Sequence, residues 1–296
     1  MVWLRRIGLF VLVNALVLIT ISVTSTIIFN VLGIRMSGGT QGLLIMCAIM
    51  GFSGSLISLM MSKFMAKHMM GVQIIDLQTN DANLRRLVTM THDLARKAGL
   101  PAMPEVGIFE SPECNAFATG PSKSNSLVAV STGLLRVMSE DEIEGVLGHE
   151  IAHISNGDMV TMTLIQGVVN TFVLFLSRIL AGALTSGDRE DDRKSPMMYW
   201  ILTQAFDLLF TILASFAVNY FSRLREYRAD AGGARYAGRQ KMIAGLRRLQ
   251  SQFDNIEPDN GAGATMKISS RSSGLMALFS THPPLSERIQ RLEMSR

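Results

Sequence analysis

His149, Glu150 and His153 stand in the order H-E-x-x-H. On a helix, residues four apart share a face, so two imidazoles can aim at one metal ion. Glu150 lies beside that face and can reach a water held by the metal. Two neutral nitrogen ligands, an adjacent base and an open coordination position are the parts of a zinc hydrolase. The alternative is a helix with two polar residues on its buried side. That is costly without an ion, because buried polar groups need partners. The flanks agree with a helix. Ser139 and Glu142 form a capping box, Ile143, Val146, Leu147 and Ile151 supply an apolar side, and Gly157 with Asp158 mark the end.

Two histidines do not complete a catalytic zinc site, which takes three protein ligands. The long pattern H-E-x-x-H-x-x-G-x-x-H is excluded, because Asn156 and Met159 stand where it requires glycine and histidine. Asp158 is near but falls five residues beyond His153. Glu226 is the better candidate, on a helix expected to start as a long apolar run ends. Asp230 lies four residues further on the same face, placed to hydrogen-bond the outer nitrogen of a ligating histidine. The opposing reading of Glu226 and Asp230 is an exposed, charge-laced helix.

These residues must be carried by a chain that is 48% apolar and 18% charged, with mean hydropathy +0.28. That balance points to membrane segments. A net charge of +4 without a basic block excludes nucleic acid as the expected partner. Only two cysteines are present, Cys47 in an apolar run and Cys114 in a polar one, so no disulfide is expected. Uncharged runs at residues 7–32 and 40–62 read as a transmembrane hairpin. Runs at 161–186 and 196–220, interrupted only by Arg178 and Asp207, read as a second one that crosses the bilayer or packs as a hydrophobic pair. Four parts follow: residues 1–71, an N-terminal hairpin; 72–160, a catalytic part with β-sheet and the H-E-x-x-H helix; 161–222, the second hairpin; and 223–296, a catalytic part with the third ligand. Arg5, Arg6, Lys63 and Lys67 flank the first hairpin and Arg223, Arg225 and Arg228 follow the second, against Arg35 in the first turn. The positive-inside rule puts the catalytic parts in the cytoplasm.

The intervening text suggests strands at 72–77, 106–109, 115–119 and 126–131, a polar turn at 121–125, and helices at 83–97 and 240–253. The H-E-x-x-H helix is expected directly after the last strand. His92 reads as a surface or capping residue, and 254–273 as a loop rich in Gly, Ser and Asn.

Taken together, the apolar hairpins, His149-Glu150-x-x-His153, Ser222-Arg223-x-x-Glu226-x-x-x-Asp230 and His282-Pro283-Pro284-x-x-x-Arg288 resemble the HtpX family of membrane-embedded zinc metalloproteases, close to type I prenyl-protein (CAAX) endopeptidases and Oma-type mitochondrial proteases. The resemblance covers essentially the whole chain. It implies an α+β, mostly helical gluzincin fold with transmembrane hairpins and a small β-sheet in the catalytic part. It also implies one Zn2+ on His149, His153 and Glu226, with Glu150 as the base. The implied activity is that of an inner-membrane, multi-pass bacterial endopeptidase. Such an enzyme degrades misfolded or damaged membrane proteins under stress, alongside an ATP-dependent membrane protease.

A tetrahedral oxyanion needs a donor besides zinc. His282 and Arg288, around a Pro-Pro turn, are the candidates, and the matching family motif implies the same part; the plain alternative is a helix start with a surface arginine. Asn115, Ala116 and Phe117 begin a strand whose edge can take an extended peptide, as similar segments in the family suggest. Two rival functions remain. A scaffold using zinc as a structural tie would require a fourth protein ligand that the sequence does not offer nearby. A CAAX-type prenyl-protein endopeptidase would require more than four spans.

Overall fold

The computed structural model describes residues 39–185, 196–254 and 282–295. The first expected span, 7–32, the charged connection at 187–194 and most of the 254–273 loop lie outside the described residues. The described elements are α1 (Thr40–Met69), β1 (Gln73–Ile74), α2 (Ala82–Lys97), β2 (Glu105–Phe109), β3 (Ala116–Ser122), β4 (Asn125–Ser131), α3 (Thr132–Val137), α4 (Glu140–Asn156), α5 (Asp158–Thr185), α6 (Pro196–Tyr236), α7 (Arg239–Asp254) and α8 (Leu285–Met294). The protein is thus mostly helical with one small sheet.

The chain divides into two compact units. One joins residues up to Ser58 with Met162–Val218, and the other joins Leu59–Thr161 with Asn219–Arg296. Three described helices are long and apolar enough to cross a membrane: α1, α5 and α6. Within the first unit the apolar side chains of these helices face outward, among them Leu164, Phe172, Leu208 and Leu213. That is the reverse of a water-soluble bundle and the arrangement a lipid solvent favours. Its buried residues Ser55, Thr171, Ser177 and Thr203 each donate a hydroxyl to a carbonyl four residues back in their own helix, so these four groups are paired where water is absent.

α6 departs from expectation. A new helix was anticipated near residue 222; instead one helix runs 41 residues from the apolar run through Glu226 and Asp230. The stretch Ser222 to Asp230 contains no proline or glycine and carries three Arg with Leu, Glu and Ala, all good helix formers, so nothing halts propagation. Its length of about 60 Å is twice a hydrocarbon core of about 30 Å.

The second unit is built on a four-stranded sheet of order β1-β2-β4-β3. β2 and β4 are parallel, and β3 returns antiparallel on β4. The strand expected at 72–77 shrinks to Gln73–Ile74. β3 extends through Pro121 and Ser122, which were expected to be turn. Proline is tolerated there because β3 is an edge strand with a row of amides that no ladder needs. α3 intervenes between β4 and the H-E-x-x-H helix, which was not anticipated. His92 receives a structural role, its Nε2 lying 3.1 Å from the Pro104 carbonyl.

α4 is the centre of the core. Leu147, Ile151 and Ile154 on it are fully buried, together with Leu94, Val128, Val130 and Leu134. Each such side chain contributes about 1.5–3 kcal/mol on burial. The expected capping box is formed: the Ser139 amide donates to Glu142 Oε2 at 2.7 Å, and the Glu142 amide to Ser139 Oγ at 3.4 Å. α6 approaches α4 closely at Gly233, where a Cβ would stand 3.0 Å from the His149 backbone nitrogen. That approach brings residues of the two helices within reach of one another.

Candidate metal centre

α4 contributes His149 and His153 one turn apart, and α6 contributes Glu226. All three are buried, with relative exposures of 8%, 7% and 0%. Their inward atoms converge. His149 Nε2 and His153 Nε2 are 3.0 Å apart, His149 Nε2 is 3.4 Å from Glu226 Oε2, and His153 Nε2 is 3.3 Å from Glu226 Oε1. Donors on two corners of a tetrahedron with bonds of 2.0–2.1 Å are about 3.3 Å apart. Three such edges on two nitrogens and a carboxylate oxygen are a fit to a small tetrahedral ion. Glu226 is the most deeply buried of the three, which an unpaired carboxylate would not tolerate.

The outer nitrogens are held by carboxylates. His149 Nδ1 stands 3.0 Å from Asp230 Oδ1, as the four-residue spacing from Glu226 predicted. His153 Nδ1 stands 2.6 Å from Asp158 Oδ2. Sequence reasoning weighed Asp158 as a ligand; its observed place is behind His153. The signal for it was its proximity alone. Burial disfavours protonation of both rings, but the bonds to Asp230 and Glu226 outweigh this and raise His149, while those to Asp158 and Glu226 raise His153 to about 9.

Glu150 is 9% exposed and lies close enough to act electrostatically on His153 and on Arg288. α8 brings the remaining two candidates. His282, just before it, is exposed, and its Nδ1 is 2.8 Å from Glu226 Oε2. Arg288 is 6% exposed, and it faces Asp230 with Nε and Nη2 and Glu226 Oε2 with Nη1 at 3.6 Å. The arginine expected to meet substrate is therefore engaged with the carboxylate that backs His149.

β3 packs against α4 and ends the sheet. Ser131 donates its amide to the Asn115 carbonyl at 2.9 Å, so Asn115, Phe117 and Thr119 direct their backbone toward β4. By alternation, the backbone amides and carbonyls of Ala116 and Ala118 point to the free edge. The Phe117 ring packs on Phe109 with centroids 5.5 Å apart. Of the three residues expected to bind peptide, Ala116 alone offers its backbone to the edge.

A buried His-His-Glu cluster, a neighbouring glutamate, carboxylates behind both imidazoles and apolar helices long enough to cross a bilayer define a membrane metallopeptidase. The chain belongs to peptidase family M48, whose model matches residues 81–296. It is 50% identical over 297 residues to a Protease HtpX homolog of Bacillus licheniformis, covering 98% of this chain and 99% of that one. It is 49% identical over 290 residues to Protease HtpX of Pasteurella multocida, covering 98% of each. Its fold is similar to that in the crystal structure of S. mikatae Ste24p, with TM-score 0.68 at 17% identity, over 98% of this chain and 66% of that one. The protein is a membrane metalloprotease, and polypeptides are its substrates.

Proposed function

We propose that this protein is a zinc-dependent endopeptidase of the bacterial inner membrane, holding one Zn2+ on His149, His153 and Glu226 and cleaving misfolded or damaged membrane proteins at its cytoplasmic face. The observation that carries this reading is the triangle of inward donor atoms at 3.0, 3.3 and 3.4 Å. When bound, zinc polarises the scissile carbonyl and lowers the pKa of water in its open position.

The chain's own residues do the rest. An extended peptide adds to the edge of β3, pairing with the outward backbone groups of Ala116 and Ala118 next to Asn115 and Phe117. This fixes the scissile bond over α4. Glu150 accepts the proton of the attacking water and delivers it to the departing amine. In this reading His282, exposed and with Nδ1 2.8 Å from Glu226 Oε2, acts as the donor to the oxyanion. Arg288 adds positive charge near it through Nη1 while its other nitrogens hold Asp230 in place. Quality control under stress, rather than prenyl-protein processing, is the role the resemblance to the HtpX family implies, and relatives named Protease HtpX at near 50% identity support that resemblance. Cooperation with an ATP-dependent membrane protease belongs to the same reading.

The test uses full-length protein in detergent, with zinc measured by atomic absorption and cleavage by casein digestion. Glu150→Gln is expected to keep zinc and lose cleavage, and Glu226→Ala to lose both. Casein digestion by Glu150→Gln at the wild-type rate overturns the base. Full zinc occupancy in Glu226→Ala under a competing chelator overturns the ligand set.

A further inference from the structure

His153 is oriented from outside its own helix. Its Nδ1 is 2.6 Å from Asp158 Oδ2, and both residues are buried, with exposures of 7% and 6%. On an uninterrupted helix a residue five positions on is rotated by about 140° and points away. Here the helix is interrupted. Gly157 ends α4 in the left-handed region, at φ 73° and ψ 31°, its amide directed to the His153 and Ile154 carbonyls. α5 then begins at once with Asp158. The single left-handed residue rewinds the chain and returns Asp158 over the ring it would otherwise miss. A side chain is disfavoured at that φ, so glycine is the residue the reversal calls for.

We propose that Asp158 is a positioning residue for the metal, setting the tautomer and aim of His153 through the turn at Gly157. This rests on the proposed ligand set. Asp158 is the first residue of α5. With Nδ1 donating to Asp158 Oδ2, the nitrogen that can offer a lone pair to a metal is Nε2. That lone pair lies on the side where His149 Nε2 and Glu226 Oε1 converge. The two imidazoles are thereby backed from different helices, His149 by Asp230 of α6 and His153 by Asp158 of α5. α5 is long and apolar enough to cross a membrane, so the first residue of such a helix sets the direction of a ligand.

The test is the apparent zinc Kd of the full-length protein in detergent, by competition with a chelator, for wild type, D158A, D158N, G157A and H153A. D158A is expected to bind zinc about ten- to a hundredfold more weakly, as loss of an outer carboxylate does. D158N, whose amide oxygen still accepts, is expected to recover most of that loss. The visible spectrum of the cobalt-substituted protein should be altered in D158A and near wild type in D158N. G157A, which displaces the acceptor without removing it, is expected to weaken zinc severalfold and decides the matter should D158A not fold. Zinc affinity within twofold of wild type in D158A or in folded G157A, with H153A deficient, overturns the role of Asp158. Equal weakening in D158A and D158N overturns it as well. Zinc affinity undiminished in H153A overturns the ligand set instead.

Discussion

Arg288 closes on Asp230 through two parallel contacts, Nε to Oδ2 at 2.8 Å and Nη2 to Oδ1 at 2.5 Å. Asp230 Oδ1 in turn meets His149 Nδ1 at 3.0 Å, so one buried carboxylate joins the C-terminal helix to a metal ligand. Removing one partner of a buried pair leaves an uncompensated charge and costs about 3–5 kcal/mol. Arg288→Ala is therefore expected to lower the unfolding temperature of the metal-free protein and to weaken zinc. Arg288→Lys should restore little, since an ammonium cannot make the paired contact. Thermal unfolding and chelator competition measure the two effects. A lysine variant equal to wild type in both would show that the fork geometry is unimportant.

Ala118 offers the cleanest test of the sheet edge. Its amide points away from β4, so Ala118→Pro removes a donor to substrate without removing a ladder bond. The expected outcome is a tenfold or greater fall in kcat/KM for casein-derived peptides, with zinc content and unfolding temperature near wild type. Unchanged kcat/KM in the folded variant would place the peptide elsewhere.

Metal uptake should depend on pH. The raised value of about 9 for His153 means that its ring is protonated at neutral pH in the metal-free protein, and zinc must displace that proton. Apparent zinc affinity is expected to rise about tenfold per unit between pH 7 and 8.5, after correction for hydroxide and chelator protonation. The sign for stability is opposite. A raised folded-state value stabilises the metal-free protein fully below the ordinary value of about 6.5, and that contribution is lost as pH rises through about 9. A flat zinc affinity over this interval would contradict the assignment.

The catalytic unit is expected to face the cytoplasm, on the warrant of Arg5, Arg6, Lys63, Lys67, Arg223, Arg225 and Arg228 against Arg35. Ser124 is exposed in the turn between β3 and β4 and suits a reporter. With Cys47 and Cys114 replaced, a cysteine introduced at Ser124 should react with an impermeant maleimide only after the inner membrane is opened. Labelling in intact cells would reverse the topology and the substrate pool.

What the sequence disclosed followed how locally each feature is determined. His149, Glu150 and His153 were legible because four-residue spacing on a helix is a fixed geometry, and the cap at Ser139 because its partner lies three residues on. The helix over Ala82–Lys97 was legible from its apolar period, although its cap, Asp81, was not singled out. Glu226 and Asp230 were readable as a pair, but the continuity of α6 was not, since a change from apolar to charged text suggests a boundary that helix propensity ignores. The position of Asp158 behind His153 was not legible, because helical arithmetic fails across a left-handed residue. Pro121 suggested a turn because edge position, which makes proline harmless in β3, depends on strand order. α3 is six residues long and too short to show a period.

The unbroken course of α6 bears on how this enzyme can be handled and how it can be modified. In many anchored enzymes a flexible tether joins the anchor to the working domain, and cutting it releases an active soluble fragment. Here the last apolar turn and Glu226 belong to one continuous helix, and α5 likewise begins at the residue that touches His153. In each of these helices the apolar stretch and the residue that meets the site lie in one continuous segment. Trimming either to obtain a soluble fragment would remove the support of a ligand together with the anchor.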